Sequence, residues 1–146
     1  MILADTSVLV DAWEPARATA TPAELEGKAA ARHAVERLMA PRTLAASAVT
    51  VTELLRRPTM SGGRLAHLEA LLDLLRGILP VTHVAAELGA HRARWRARRG
   101  LAVPDLGDLL IIGTCIELDA PVLTTNARHF SGTPGLTVLS VDDARH

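Results

Sequence analysis

Tyrosine is absent from this chain, and Trp13, Trp95 and Phe130 are its only aromatic residues. So few rings argue against a single-strand binder that stacks bases on an aromatic platform, and any nucleic acid would have to be held by its phosphates. Cysteine is represented by Cys115 alone, which excludes an internal disulfide and a multi-cysteine zinc site, fits a reducing compartment, and reads as a buried, inert thiol. Long apolar runs are missing as well. Almost half the residues are hydrophobic, but they fall in short blocks, well below the roughly eighteen in a row that a membrane span needs. The opening Met1-Ile2-Leu3-Ala4-Asp5 has neither a basic n-region nor a cleavage site after an apolar stretch, so a cytoplasmic protein is expected. Net charge is lacking too, with 16 basic residues against 16 acidic ones, and bulk electrostatics offers nucleic acid no general attraction. A local patch would have to supply it, and with Lys28 the sole lysine that patch would be built of arginine.

What is present is an alternation of short strands and helices. The 146 residues suit one compact domain, 1–146, burying about two-thirds of its unfolded surface around a core. Residues 2 to 5 form an apolar run ending at Asp5, and Val8, Leu9, Ala12 and Trp13 follow at helical spacing. Thr21-Pro22-Ala23-Glu24 supplies the cap, first-turn proline and acid of a capping box, opening a helix to about Met39 that Pro41 closes. A strand is expected over 43–46, a helix over 49–57 stopped by Pro58, and a loop at Ser61-Gly62-Gly63. Next come an amphipathic helix through Leu65, Leu68, Leu71, Leu72 and Leu75, a strand over 78–82, and a helix over 84–99 ended by Gly100. Beyond Pro104 the pattern predicts an apolar helix over 109–118 and strands over 122–125 and 137–141. Without internal repeat or linker, this succession predicts an α/β three-layer sandwich, a parallel sheet of about five strands between helices. In such sheets ligands bind beyond the C-terminal ends of the strands, near the point where strand order reverses.

Polar residues at strand ends are therefore the candidates. Asp5 ends the first strand, Glu53 lies on the helix after the second, Asp108 opens a helix, and Asn126 ends the fourth strand. Each has an ordinary structural reading: Asp5 and Asp108 make good helix caps, Asn126 suits a turn, and Glu53 suits a solvated helix face. Placed together at one sheet edge they read differently, because crowded carboxylates repel one another unless hard divalent cations neutralise them. Oxygen-only ligands then suggest Mg2+ or Mn2+.

Four segments carry a family resemblance. Leu3-Ala4-Asp5-Thr6-Ser7-Val8-Leu9, Val49-Thr50-Val51-Thr52-Glu53-Leu54-Leu55, Asp108-Leu109-Leu110-Ile111-Ile112 and Leu123-Thr124-Thr125-Asn126-Ala127-Arg128-His129-Phe130 resemble, in order, the signature blocks of PIN-domain nucleases, above all VapC-type toxins. The resemblance implies a parallel sheet between helices, a divalent-metal site and endoribonuclease activity leaving a 3′-hydroxyl and a 5′-phosphate. It also implies a homodimer and neutralisation by a small cognate antitoxin protein. By the same resemblance, Asp5, Glu53 and Asp108 match the three acidic metal positions, and Asn126 occupies the fourth, which is often aspartate. His129 departs in a similar way, standing where many relatives carry an acid just before the phenylalanine. Asp105, three residues before Asp108, competes with it for the third position, and Thr6 offers a hydroxyl to phosphate or metal-bound water. Asp11, farther along the helix, reads as helix surface.

The densest basic stretch runs from His91 to Arg99 and puts Arg92, Arg96 and Arg99 on one helical face, a candidate contact for RNA phosphates. Arginines near a helix C-terminus are also favoured by the helix dipole alone. Arg56 and Arg57 follow Glu53 and suit either the same groove or salt bridges. The histidines are scattered without an i, i+4 pair, Ser7 and Ser47 lack a nucleophile-elbow context, and Gly62-Gly63 is too short for a phosphate loop. Zinc, serine-hydrolase and nucleotide-binding readings therefore fall. A toxin endoribonuclease leads, with a PIN nuclease outside any toxin pair and a catalytically weak RNA- or protein-binding module as the alternatives.

Overall fold

Strands and helices alternate along residues 1–145, the span that the computed structural model describes. β1 (Ile2–Ala4), β2 (Leu44–Ser47), β3 (Ile78–Leu79), β4 (Val122–Thr124) and β5 (Val138–Ser140) form one sheet in the order β3-β2-β1-β4-β5, every neighbouring pair parallel. The helices are α1 (Thr6–Trp13), α2 (Pro22–Met39), α3 (Ala48–Leu55), α4 (Gly62–Asp73), α5 (His83–Arg98) and α6 (Leu106–Glu117), with 3-10 turns at Ala127–His129 and Asp143–Arg145. This is the expected sandwich around a five-stranded parallel sheet. Among the described residues no helix is long and apolar enough to cross a membrane.

The inner strands are apolar because both of their faces are covered: β2 and β4 are buried throughout, and β1 exposes only part of Ile2. Register pairs Leu3 with Val122 and Ala4 with Leu123, and successive side chains point to opposite faces, so the two pairs feed two cores. Leu3 and Val122 join Ile111, Ile112, Cys115 and Phe130 on the α6 side. Ala4 and Leu123 join Val8, Leu9, Val35, Leu44 and Leu54 beneath α1, α2 and α3. Burial pushes the Cys115 thiol up to about 12, which makes it the inert core residue its isolation suggested.

Element boundaries move where a capping side chain decides them. Ser61 Oγ accepts the Arg64 N–H at 3.1 Å, so Gly62 and Gly63, expected in a loop, form the first turn of α4. Thr82 Oγ1 accepts the Ala85 N–H at 3.0 Å and starts α5, leaving β3 to end at Leu79, ahead of Pro80. Asp105 Oδ1 accepts the Asp108 N–H at 2.9 Å, and α6 begins at Leu106 rather than near Leu109.

Two glycines then set α5 against α6. A Cβ on Gly113 would stand 1.8 Å from the Ala85 carbonyl oxygen, and one on Gly89 would stand 2.4 Å from that of Leu109. Backbone meets backbone at this crossing, which fixes α6 and the acids at its N-terminus relative to the sheet. From β1 the chain proceeds outward to β2 and β3, then returns to β4 on the other side of β1. The strand order therefore reverses between β1 and β4, beside Asp5 and Asn126.

Candidate active site

Asp5 follows β1 directly, and its backbone N–H continues the strand by donating to the Leu123 carbonyl at 2.8 Å. It occupies the N-cap position of α1, yet its side chain makes no capping bond, so the capping explanation for Asp5 fails. Its buried carboxylate is used otherwise: Oδ2 accepts from Ser7 Oγ at 2.7 Å and from Thr124 Oγ1 at 2.9 Å. Thr125 Oγ1 donates to Ser7 Oγ at 3.0 Å, and the Asn126 N–H donates to Thr124 Oγ1 at 2.9 Å. Hydroxyls from both sides of the strand reversal thus converge on one carboxylate oxygen and hold its rotamer.

Glu53 reaches the same place from α3, where its Oε1 accepts from Thr6 Oγ1 at 2.7 Å. The Thr6 hydroxyl also lies 3.1 Å from Thr50 Oγ1, one turn before Glu53. A Cβ on Gly107 would stand 3.4 Å from both oxygens of Glu53 and 3.5 Å from Asp105 Oδ1, so the bare glycine leaves the Glu53 carboxylate room against the first turn of α6. Asp105 and Asp108 divide their labour. Asp105 is the cap of α6 and stays exposed, whereas Asp108 is free of the capping role assigned to it above and is largely shielded, with 17% of its side chain exposed. Burial and the neighbouring charges of Asp5 and Asp105 push the Asp108 carboxyl from 3.8 to about 6, against the opposing pull of His129. His129 Nδ1 lies 3.3 Å from Asp108 Oδ2 and 3.1 Å from Asn126 Nδ2.

The result is an open cleft of about 330 Å³ lined by Asp5, Thr6, Ser7, Val10, Asp11, Glu53, Asp105, Asp108, Asn126 and His129. All the candidate acids, Asn126 and Thr6 meet there, and Asp11, read from sequence as helix surface, proves to line the same cleft. The sequence reading also passed over Ser7 and Thr124 as holders of Asp5, although a polar run at a strand end was their signal. Among the described residues neither lysine nor arginine lines the cleft. Hard oxygen donors at high density, with no guanidinium or ammonium among them, fit a small divalent cation. Among the described residues no three carboxyl or imidazole groups already close on one point at ligand distance, so an ion would draw them inward or reach some through water.

The arginine face needs correction. Arg96 is only 4% exposed: its Nε donates to the Ala102 carbonyl at 2.7 Å, and its Nη1 donates to the Ser131 carbonyl at 3.0 Å and to Thr133 Oγ1 at 3.3 Å. Loop carbonyls on either side of the site need buried donors, and the guanidinium fork supplies several at once, so this side chain is not available to RNA. Arg92 Nε donates to the Pro134 carbonyl at 2.8 Å, and the Arg99 guanidinium lies 4.1 Å from the centre of the Trp95 ring. Arg57 pairs with Glu14, the salt-bridge outcome of the two readings offered for it.

The fold that brings these acids to the strand reversal belongs to a known class. Residues 2–136 match the PIN domain, and the chain is a member of that family. Over 91 residues it is 37% identical to Ribonuclease VapC19 of Mycobacterium tuberculosis (strain CDC 1551 / Oshkosh), an overlap covering 60% of this chain and 71% of that protein. Its fold is shared with FitAcB from Neisseria gonorrhoeae, at 21% identity and a TM-score of 0.74 over 97% of this chain and 98% of that one. DNA-bound VapBC from Salmonella typhimurium gives a TM-score of 0.72 at 22% identity, over 97% and 99% of the two chains.

Proposed function

We propose that this chain is a PIN nuclease unit over 1–146 acting as a divalent-metal-dependent endoribonuclease, the toxin of a cytoplasmic toxin–antitoxin pair. One observation carries the reading: Asp5, Glu53 and Asp108, from three separate elements, face a cleft whose lining, among the described residues, holds neither lysine nor arginine. The likeness to a protein named as a ribonuclease supports RNA as the substrate, and the fold shared with a toxin–antitoxin complex from Klebsiella pneumoniae, at 21% identity and a TM-score of 0.68, supports a small antitoxin as partner.

Asp5, Glu53 and Asp108 are the residues that would hold Mg2+ or Mn2+, with Asn126 beside them. A bound divalent ion supplies a nucleophile from water at neutral pH and offsets the charge that develops on the phosphodiester. The chain contributes order. Ser7 and Thr124 lock Asp5 and Thr6 pins Glu53, so little side-chain freedom is left to lose when substrate binds. Arg92 and Arg99 remain as phosphate contacts at a distance from the chemistry. The antitoxin covers the acidic cleft, an arginine from it being the natural partner for these carboxylates, and a second copy of the chain completes a homodimer.

Cleavage of structured RNA, with Mg2+ or Mn2+ and with chelator, tests the reading. Asp5→Asn, Glu53→Gln and Asp108→Asn should each lower cleavage by about 100-fold or more at unchanged circular dichroism, as loss of one charge-stabilising group does elsewhere. Wild-type cleavage in all three, or cutting indifferent to chelator, would refute the site. Persistent RNA binding without metal-dependent cutting would favour the binding module, and harmless expression with no co-purifying small protein would remove the toxin role.

A further inference from the structure

Resting on that reading, we propose that His129 gives the cation of this site a nitrogen ligand, so that the protein selects Mn2+ over Mg2+. Among the described residues of the cleft lining, His129 is the one that offers an imidazole among oxygen donors. Its Nδ1 lies 3.3 Å from Asp108 Oδ2. Two adjacent ligands of an octahedral ion with bonds of about 2.1 Å stand roughly 3 Å apart, so this spacing already suits one ion shared by the two groups. The same contact would be an ion pair only with a charged ring, and the experiment below separates the two roles.

Two further features favour ligation. The His129 side chain is half exposed and sits on a one-turn 3-10 segment, so the ring can move the short distance needed without disturbing a core. Asn126 is in place to steady it, because its side-chain amide lies 3.1 Å from Nδ1 and 3.3 Å from Nε2. The same amide is within reach of both ring nitrogens, so Asn126 restrains the ring while Nδ1 faces Asp108. Asn126 then acts through the ring rather than on the ion. Selectivity follows from ligand type. Mg2+ demands hard oxygen ligands in a tight octahedron, whereas Mn2+ shares the taste for carboxylate and, as a first-row transition ion, accepts imidazole nitrogen at less cost.

Mn2+ titrated into the full chain in imidazole-free buffer, followed by pulsed electron paramagnetic resonance, reads the ligand directly. The spin echo of bound Mn2+ should carry nitrogen modulation from a coordinated imidazole, altered by 15N-histidine labelling and lost in His129→Gln. The ratio of Mg2+ to Mn2+ dissociation constants, from calorimetric competition, should fall about tenfold in His129→Gln, and in His129→Asp it should shift further toward Mg2+. Thermal melts of both variants in chelator check that each is folded. Bound Mn2+ without nitrogen coupling, or an unchanged metal ratio in both variants, overturns the role of His129 and leaves the metal-nuclease reading standing. A protein that binds neither ion overturns both.

Discussion

Replacing Asp108 with asparagine should make the metal-free protein more stable while ending its chemistry. The Asp108 carboxyl titrates at about 6 instead of 3.8 because it is largely buried and faces the charges of Asp5 and Asp105. A native pKa above the unfolded one means that the folded state holds the proton more tightly. The stability is therefore fully present below pH 3.8 and is lost as pH rises to about 6. At about 1.36 kcal/mol per pKa unit the loss is roughly 3 kcal/mol. Solvent reaches part of the side chain and screens it, so about 2 kcal/mol is the working figure. For a domain of this size that is on the order of 6 °C in melting midpoint. Thermal melts in chelator at pH 7.5 should place Asp108→Asn higher than wild type by about this amount. Near pH 4 the gap should close, since a protonated carboxyl and an amide are alike in shape and charge. Saturating Mn2+ should raise the wild-type midpoint and leave the variant nearly unmoved. A variant that melts at or below wild type at pH 7.5, or a gap indifferent to pH, would refute the claim that the Asp108 carboxylate is held against burial and neighbouring charge.

Three other substitutions follow from contacts already described. Gly113→Ala forces a Cβ onto the Ala85 carbonyl oxygen and should cost about 3 kcal/mol or more in urea unfolding; a loss under about 1 kcal/mol would show that the α5–α6 crossing is not a backbone contact. Gly107→Ala, whose Cβ meets Glu53 at 3.4 Å, should change stability by less than about 1 kcal/mol yet reduce cleavage through displacement of that carboxylate, and unaltered cleavage would deny the crowding. Arg96→Ala strands the Ala102 and Ser131 carbonyls and should cost about 2–4 kcal/mol with little rescue by Arg96→Lys, whereas an RNA-binding defect at unchanged stability would restore this residue to the phosphate face.

The sheet, and the gathering of most candidate residues at one edge of it, were legible because both depend on order and period. Apolar blocks alternating with helices imply parallel strands, and parallel strands place Asp5 and Asn126 at a common edge before any contact is known. What could not be read depends on a single atom's partner. Asp105 and Asp108 stand three residues apart at a helix start, and only the bond from the Asp108 N–H to Asp105 shows which carboxylate caps and which is left uncommitted in the cleft. Arg96 was assigned to a solvent face by its spacing from Arg92 and Arg99. Its burial is set by the irregular segments around Ala102 and Ser131–Thr133, which carry no periodic signal. Asp11 was placed on a helix surface correctly, but whether that surface meets solvent or a cleft depends on how the segment after β4 packs beside α1.

The way the acids are held explains how a neutral chain can maintain a concentrated negative site. Basic side chains would have been the simplest stabilisers, yet an arginine among the carboxylates would occupy the place of a cation and compete with it. Hydroxyls take that part instead: Ser7 and Thr124 satisfy Asp5, and Thr6 satisfies Glu53, fixing geometry while leaving the negative charge in place. The first turn of α6 adds the positive end of a helix dipole beside Asp105 and Asp108, worth a few tenths to about 1 kcal/mol per charge. Neither device offsets the full cost of burying and crowding these charges, and the proton held by Asp108 near pH 6 reflects burial first and the charges of Asp5 and Asp105 after it. The fold thus keeps the cleft organised but electrostatically incomplete, a state that an incoming divalent ion would relieve and that a buried arginine would have relieved permanently.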